Sequence, residues 1–268
     1  MTRNEITKSA AKFTEESSGN YISAETAIAQ EYIGMKIFDS PIFAFGAPDD
    51  ELYIKFKLPE VVGSHHLTPC EWLTTAKTVI SFFLPYTETI KSANARNYDW
   101  PANEWLHGRY EGHMFLKSLA TYINQLLQEA GFKSLIPADD PRNNLSDVDI
   151  PFTSRWSERH VAYACGLGTF GLSKGLITKK GTCGRFGSII TELDLPKDSR
   201  PYEGIYDYCT MCGICIAHCP AQAITFEKGK EHLLCSKFLD NVREKNNPRY
   251  GCGKCQVNVP CESGSPVS

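Results

Sequence analysis

"CTMCGICIAHCP", residues Cys209 to Pro220, carries four cysteines in the spacing C-x2-C-x2-C-x3-C-P. Three thiols this close in sequence wrap one face of an iron–sulfur cubane. The fourth, just before proline, points away and serves a second cluster. Zinc sites use separated C-x2-C pairs rather than an unbroken run of four. The spacing therefore predicts a [4Fe–4S] cluster on Cys209, Cys212 and Cys215, with Cys219 committed elsewhere.

Working outward, the second cluster needs three more thiolates. Cys235 lies in "KEHLLCSKFLDNVREK", a helical segment with Leu233, Leu234 and Phe238 on its apolar side. Cys252 and Cys255 form a C-x2-C pair in "YGCGKCQVNVPC", residues 250–261. With Cys219 they complete one set of four, and Cys261 is the cysteine left to finish the other. Eight cysteines for two cubanes define a small two-cluster bacterial ferredoxin-like domain, placed at residues 199–268. Its boundary falls where prolines, charges and tyrosines gather, around Lys197 to Tyr208. Cys70, Cys165 and Cys183 stand apart and read as small buried hydrophobes. Eleven cysteines in a reducing compartment are not disulfides.

Residues 1–198 alternate strands and helices. "SPIFAFG" (40–46), "KTVISFFLP" (77–85), "SLIP" (134–137) and "GSIITELDL" read as strands. "APDDELYIKFKLPE" between the first two reads as a turn followed by an alternating strand or short helix. A long helix is expected over 111–130, where Phe115, Leu116, Leu119, Ile123, Leu126 and Leu127 recur at helical spacing before Gly131. Ser157 N-caps a short helix that ends at Gly166. The fold class is α+β, with sheet and helices packed in layers. A net charge of −3 gives no global footprint for nucleic acid or anionic membrane. No stretch approaches the roughly 20 apolar residues of a membrane span, and the N-terminus lacks an apolar leader. A cytoplasmic protein with no membrane association is expected.

Three features together resemble the epoxyqueuosine reductases and their relatives, the reductive dehalogenases. These are the cysteine run followed by the isolated Cys235, "YGCGKCQVNVP", and "SERHVAYACGLGTFG" (157–171). The resemblance implies a nitroreductase-like α/β sandwich over 1–198 that binds cobalamin, joined to the ferredoxin-like domain. It assigns Cys209, Cys212, Cys215 and Cys261 to one cluster, and Cys219, Cys235, Cys252 and Cys255 to the other. It implies electrons arriving from a ferredoxin or flavodoxin, passing both clusters, and reducing a bound cobalamin that attacks an electrophilic small molecule. The alternatives are an electron-transfer protein with an empty or flavin-filled pocket, and a reductive activator of another corrinoid protein.

The chain departs from the family in three places. The family's last cysteine directly precedes a proline; here Val259 holds that place and Cys261 comes two residues later. The family's catalytic aspartate, fourteen residues before Gly166, is replaced by Phe152. The nearest carboxylates are Asp149 and Glu158, and Glu158 matches a glutamate that orients the helix. The chain also ends seven residues past Cys261, where tRNA-acting relatives continue. A small-molecule substrate rather than tRNA is therefore expected, and the proton donor stays unassigned.

Corrin recognition needs backbone amides and close approach, which the glycine-dense segment 166–187 offers. By resemblance, Leu176, Ile177, Gly187 and Ser188 lie where the family touches the corrin. In "EWLHGRYEGHMF" (104–115), Arg109, Tyr110 and His113 are the polar residues that face a pocket if one exists. His160 reads as a packed residue, and His65-His66 as an exposed pair holding no metal. Lys174, Lys179, Lys180 and Arg185 read as a solvated loop, or as a contact for a cofactor phosphate or an acidic partner.

Overall fold

The computed structural model describes residues 1–148 and 150–267. Helix α1 (Arg3–Glu16) opens on a capping box in which Thr2 and Glu5 satisfy each other's free amides. Then come β1 (Ile42–Gly46), two short helices α2 (Glu51–Lys55) and α3 (Pro69–Trp72), and β2 (Thr78–Pro85). Helix α4 (Glu88–Ala95) and the long α5 (Asn103–Glu129) lead to β3 (Ser134–Leu135). Helix α6 (Glu158–Cys165) stops at Gly166, whose φ of 97° supplies the left-handed cap. The hairpin β4 (Gly168–Phe170) and β5 (Leu176–Thr178) then feeds β6 (Gly184–Thr191). The C-terminal part holds α7 (Ile214–Ala217), the short strands β7 (Ile224–Thr225) and β8 (Gly229–Lys230), and α8 (His232–Asn246).

One antiparallel sheet in the order β1-β2-β6-β3 organises the first part of the chain. Every residue of β2 is buried, which is why its sequence is apolar apart from Thr78 and Ser81. Its alternation divides the core. Ile80, Phe82 and Leu84 pack with Ile6 of α1 and Phe115 and Leu119 of α5 on one face. Val79 and Phe83 pack with Val161 and Ala162 of α6 on the other. Helices on both faces of an antiparallel sheet make this an α+β sandwich, followed by the cysteine-rich part.

Phe82 is the keystone of the α5 face. It stands directly across from Gly187 in the β2–β6 register, and a Cβ on Gly187 would lie 2.5 Å from the Phe82 ring. Phe82→Ala is expected to cost about 3–5 kcal/mol, because removing a fully buried ring leaves a cavity. Denaturant unfolding followed by tryptophan fluorescence measures this. A loss below about 1 kcal/mol would mean the site collapses and the packing argument is wrong.

Several sequence expectations are corrected. Helix α5 starts at Asn103, eight residues before the expected Glu111. Gly108 and Gly112 mask its periodicity; they let the helix press onto Tyr86 and Phe38, with Cβ positions only 3.0 and 2.9 Å from those rings. Of the two forms expected after "APDD", the short helix is the one present: α2, started by Asp50 accepting from the Leu52 amide. His66 is fully buried rather than exposed, its ring stacked 6.0 Å from Trp156 and edge-on to Phe56. Burial pushes it down to about 4, so it stays neutral. Cys70 is exposed, unlike the buried Cys165 and Cys183. Asp149 lies outside the described residues. Among those described, no helix is long and apolar enough to cross a membrane.

Candidate iron–sulfur and cofactor site

The eight clustered cysteines rim two cavities. Cys209, Cys212, Cys215 and Cys261 line a small one beside Ile177 and Leu172. Cys219, Cys235, Cys252 and Cys255 line part of a much larger one. All are free of disulfides. Among the described residues, no three His, Cys, Asp or Glu side chains converge on a single-ion site; the thiols border cavities instead. Burial pushes the Cys261 thiol up to about 12, and the charges of Cys209, Cys215 and Cys212 add to the rise. Burial does the same to Cys252, with Cys255 and Cys235 adding to it. Thiols held in this way stay protonated until a metal takes the thiolate and the proton is released. Four thiols bordering each cavity match the ligand number of an iron–sulfur cubane.

The tail is tied down so that Cys261 comes back to the first set. The Thr182 amide donates to the Cys261 carbonyl at 2.9 Å, and the Cys183 amide to that of Glu262 at 3.3 Å. Gly181 permits this approach: its φ is 79°, and a Cβ there would sit 2.1 Å from the Glu262 carbonyl oxygen. The Cys183 thiol donates to the Gln256 carbonyl. Between Cys252 and Lys254, Gly253 lies against Trp105 of α5, where a Cβ would fall 1.9 Å from the indole. The cysteine tail thus packs directly on the first domain.

The larger cavity measures about 940 Å³, near the top of the range for cofactor pockets of roughly 300–1,000 Å³. Its wall runs from the loop around Val61 and Val62, past Trp105, Arg109 and Tyr86, to residues 150–160 and Gly184 to Phe186. Of the residues named from sequence, Arg109 and Leu176 line it, as do His160, Lys174 and Arg185. Ile177, next along β5, faces the small cysteine cavity instead. Gly187 backs onto Phe82, and Tyr110 lies beneath the Arg249 guanidinium 5.9 Å away. Ser188 is buried behind the wall. His113 contacts Arg185 and is pushed down to about 4 by burial and then by that arginine.

Ser188 holds a residue that sequence reading left as a helix orienter. Its hydroxyl accepts from Trp156 Nε1 at 2.8 Å and donates to Glu158 Oε2 at 2.7 Å. An indole N–H only donates, so the direction of this relay is fixed. Glu158 lines the large cavity and is half-buried. Burial raises its carboxyl to about 7 against the opposing pull of Ser188 and Arg185. The signal that could have found it was position: it is the first residue of α6, in the segment leading into the cavity wall.

Lys254 is buried, 1% exposed, between two of the cysteines. Its Nζ donates to Asn94 O at 2.7 Å and Asn94 Oδ1 at 2.9 Å, and Asn94 Nδ2 donates to the Cys252 carbonyl. No carboxylate pairs with it among the described residues. A buried cation beside an electron carrier stabilises the more negative, reduced form. If Cys252 and Cys255 hold a cluster, Lys254→Gln is expected to lower its midpoint potential, read by redox titration with EPR detection. An unchanged or raised potential would show that the ammonium serves only the fold.

The 4Fe-4S binding domain family matches residues 202–225. Epoxyqueuosine reductase of Bacillus anthracis is 26% identical over 208 residues, covering 72% of this chain and 50% of that protein. Tetrachloroethene reductive dehalogenase of Desulfitobacterium hafniense is 39% identical over 74 residues, 27% of this chain and 13% of that protein. The chain spans half or less of the length of these relatives. A solved epoxyqueuosine reductase, crystallised with an epoxyqueuosine-modified tRNA stem loop, shares the fold with a TM-score of 0.56 at 18% identity. That superposition covers 98% of this chain and 66% of the other. The chain is thus similar in sequence to epoxyqueuosine reductases and, over a shorter stretch, to a reductive dehalogenase; it shares the fold of a solved epoxyqueuosine reductase and carries a 4Fe-4S binding domain in its C-terminal part.

Proposed function

We propose that the protein is an iron–sulfur reductase with two [4Fe–4S] clusters and a corrinoid in the large cavity, acting on an electrophilic small molecule. One observation carries the reading: four of the eight cysteines open onto the same cavity as a carboxyl held near neutrality. A ferredoxin or flavodoxin is the natural electron donor.

When bound, the clusters supply single electrons and the corrinoid a strongly nucleophilic metal centre. The cavity wall fits such a ligand. It is large, partly aromatic through Trp105 and Trp156, and contains the Thr182 hydroxyl and Arg185 Nε without protein partners among the described residues. The Arg109 and Arg185 guanidiniums and the Glu158 carboxyl on the same wall suit the amides at a corrin's edge. Reductive cleavage of a carbon–halogen or carbon–oxygen bond consumes two electrons and one proton. Glu158 holds that proton: Ser188 occupies Oε2, which leaves Oε1 free to present it to the cavity. Trp156 fixes Ser188, and Ser188 fixes the carboxyl.

Anaerobic purification with iron and sulfide determination, followed by titration with hydroxocobalamin and with flavin mononucleotide, tests this reading. About eight irons per chain with uptake of hydroxocobalamin supports it. A full iron complement with no corrinoid uptake sinks the reductase and leaves an electron carrier. Uptake of flavin alone replaces the cofactor.

A further inference from the structure

Arg109 and Arg185 face the same cavity, and neither meets a carboxylate. Arg3, Arg142, Arg155, Arg200, Arg243 and Arg249 each pair with an acid, while Arg159 on the same wall donates to the Lys174 carbonyl. Arg109 Nη2 donates instead to the Tyr250 hydroxyl at 2.6 Å. Arg185 Nη2 donates to His113 Nδ1 at 3.4 Å, and its buried Nε has no partner among the described residues. His113 is neutral, held near 4 by burial and by these two arginines, so it offers no countercharge. The guanidiniums also disfavour each other: burial, then Arg185, pushes Arg109 down to about 10. Glu158, the carboxyl on this wall, makes no salt bridge with either.

Two recessed cations without an anion are costly, because burial removes solvation that nothing replaces. Arginine's planar fork matches an oxyanion in two-point contact. We propose that Arg109 and Arg185 bind an oxyanion, a phosphate or carboxylate, inside this cavity. Two sources share that chemistry: an acidic group on the substrate, and the phosphodiester in the nucleotide tail of a corrinoid. As a statement about substrate class, the proposal rests on the cavity being the reaction chamber; as a binding site it does not.

Inorganic phosphate is the probe, titrated calorimetrically into anaerobic, iron-loaded protein. Wild type is expected to bind it, and Arg109→Gln and Arg185→Gln each to weaken binding about tenfold or more, with iron content unchanged. Arg185→Lys, which keeps the charge, is expected to lose less than Arg185→Gln. No binding to wild type, or equal affinity in the glutamine variants, overturns the proposal. Hydroxocobalamin and cobinamide, which lacks the nucleotide tail, separate the sources. Phosphate still binding to cobalamin-loaded protein assigns the site to the substrate. Competition by cobalamin, with Arg185→Gln weakening cobalamin but not cobinamide, assigns it to the cofactor. Phosphate binding without any corrinoid uptake keeps the anion site and removes the corrinoid reading alone.

Discussion

Cys261→Ala is expected to halve the bound iron, from about eight atoms per chain to about four. Cys261 borders the small cavity together with Cys209, Cys212 and Cys215, while no other cysteine of the tail does. Cys252→Ala is expected to cost the other half, because Cys252 opens onto the large cavity with Cys219, Cys235 and Cys255. The two variants should therefore lose different EPR signals, and the double variant should lose both. This contrast makes the test specific, since a general unfolding would remove both signals at once. The tail also has an independent anchor. Thr182 and Cys183 bind the backbone at Cys261 and Glu262, so the alanine variant keeps its main-chain path. Full iron content with both signals intact in Cys261→Ala would remove it as a ligand and leave the first cluster one thiolate short.

Local chemistry was legible in the sequence, and long-range packing was not. The cysteine run needs only its own spacing to declare its ligand type, and strand β2 needs only its length and apolar run to declare burial. Helix α5 was read short, because Gly108 and Gly112 look like breakers until the rings they accommodate, Tyr86 and Phe38, are in place. Gly187 shows the converse. A glycine beside a cofactor and a glycine beneath an aromatic ring are identical in sequence, and only the register with Phe82 tells them apart. His66 looked exposed because its neighbours in sequence are polar, whereas its neighbours in space are Phe56 and Trp156.

The cavity wall was legible only in part for the same reason. Arg109 and Leu176 were found, but their neighbours Tyr110 and Ile177 turn away from the cavity, since adjacent residues on a helix or strand point in different directions. Glu158 drew attention as a family position, and its environment assigns it more. A carboxyl's acidity is set by what surrounds it, here burial and the Ser188 hydrogen bond. Neither is written in the residues flanking it.

Glu158→Gln is accordingly expected to cut turnover about 10²- to 10⁴-fold, the usual contribution of a general acid. Trichloroacetate serves as the electrophilic probe, with a low-potential reductant and corrinoid-loaded protein. Glutamine still accepts from Ser188 but carries no transferable proton. Wild type should be active while the carboxyl is protonated, below about pH 7, and should fall about tenfold per unit above it. That limb should vanish in the variant. Stability gives a second readout. The folded-state value, about 7, lies above the ordinary 4.5, so between these values the folded chain keeps a proton that the unfolded chain releases. Stability then declines as pH rises through this window, and Glu158→Gln should remove that decline. A residue that merely orients α6 would alter melting temperature without touching the pH limb of turnover. If the variant keeps both its rate and its alkaline limb, the proton comes from another group and Glu158 is structural.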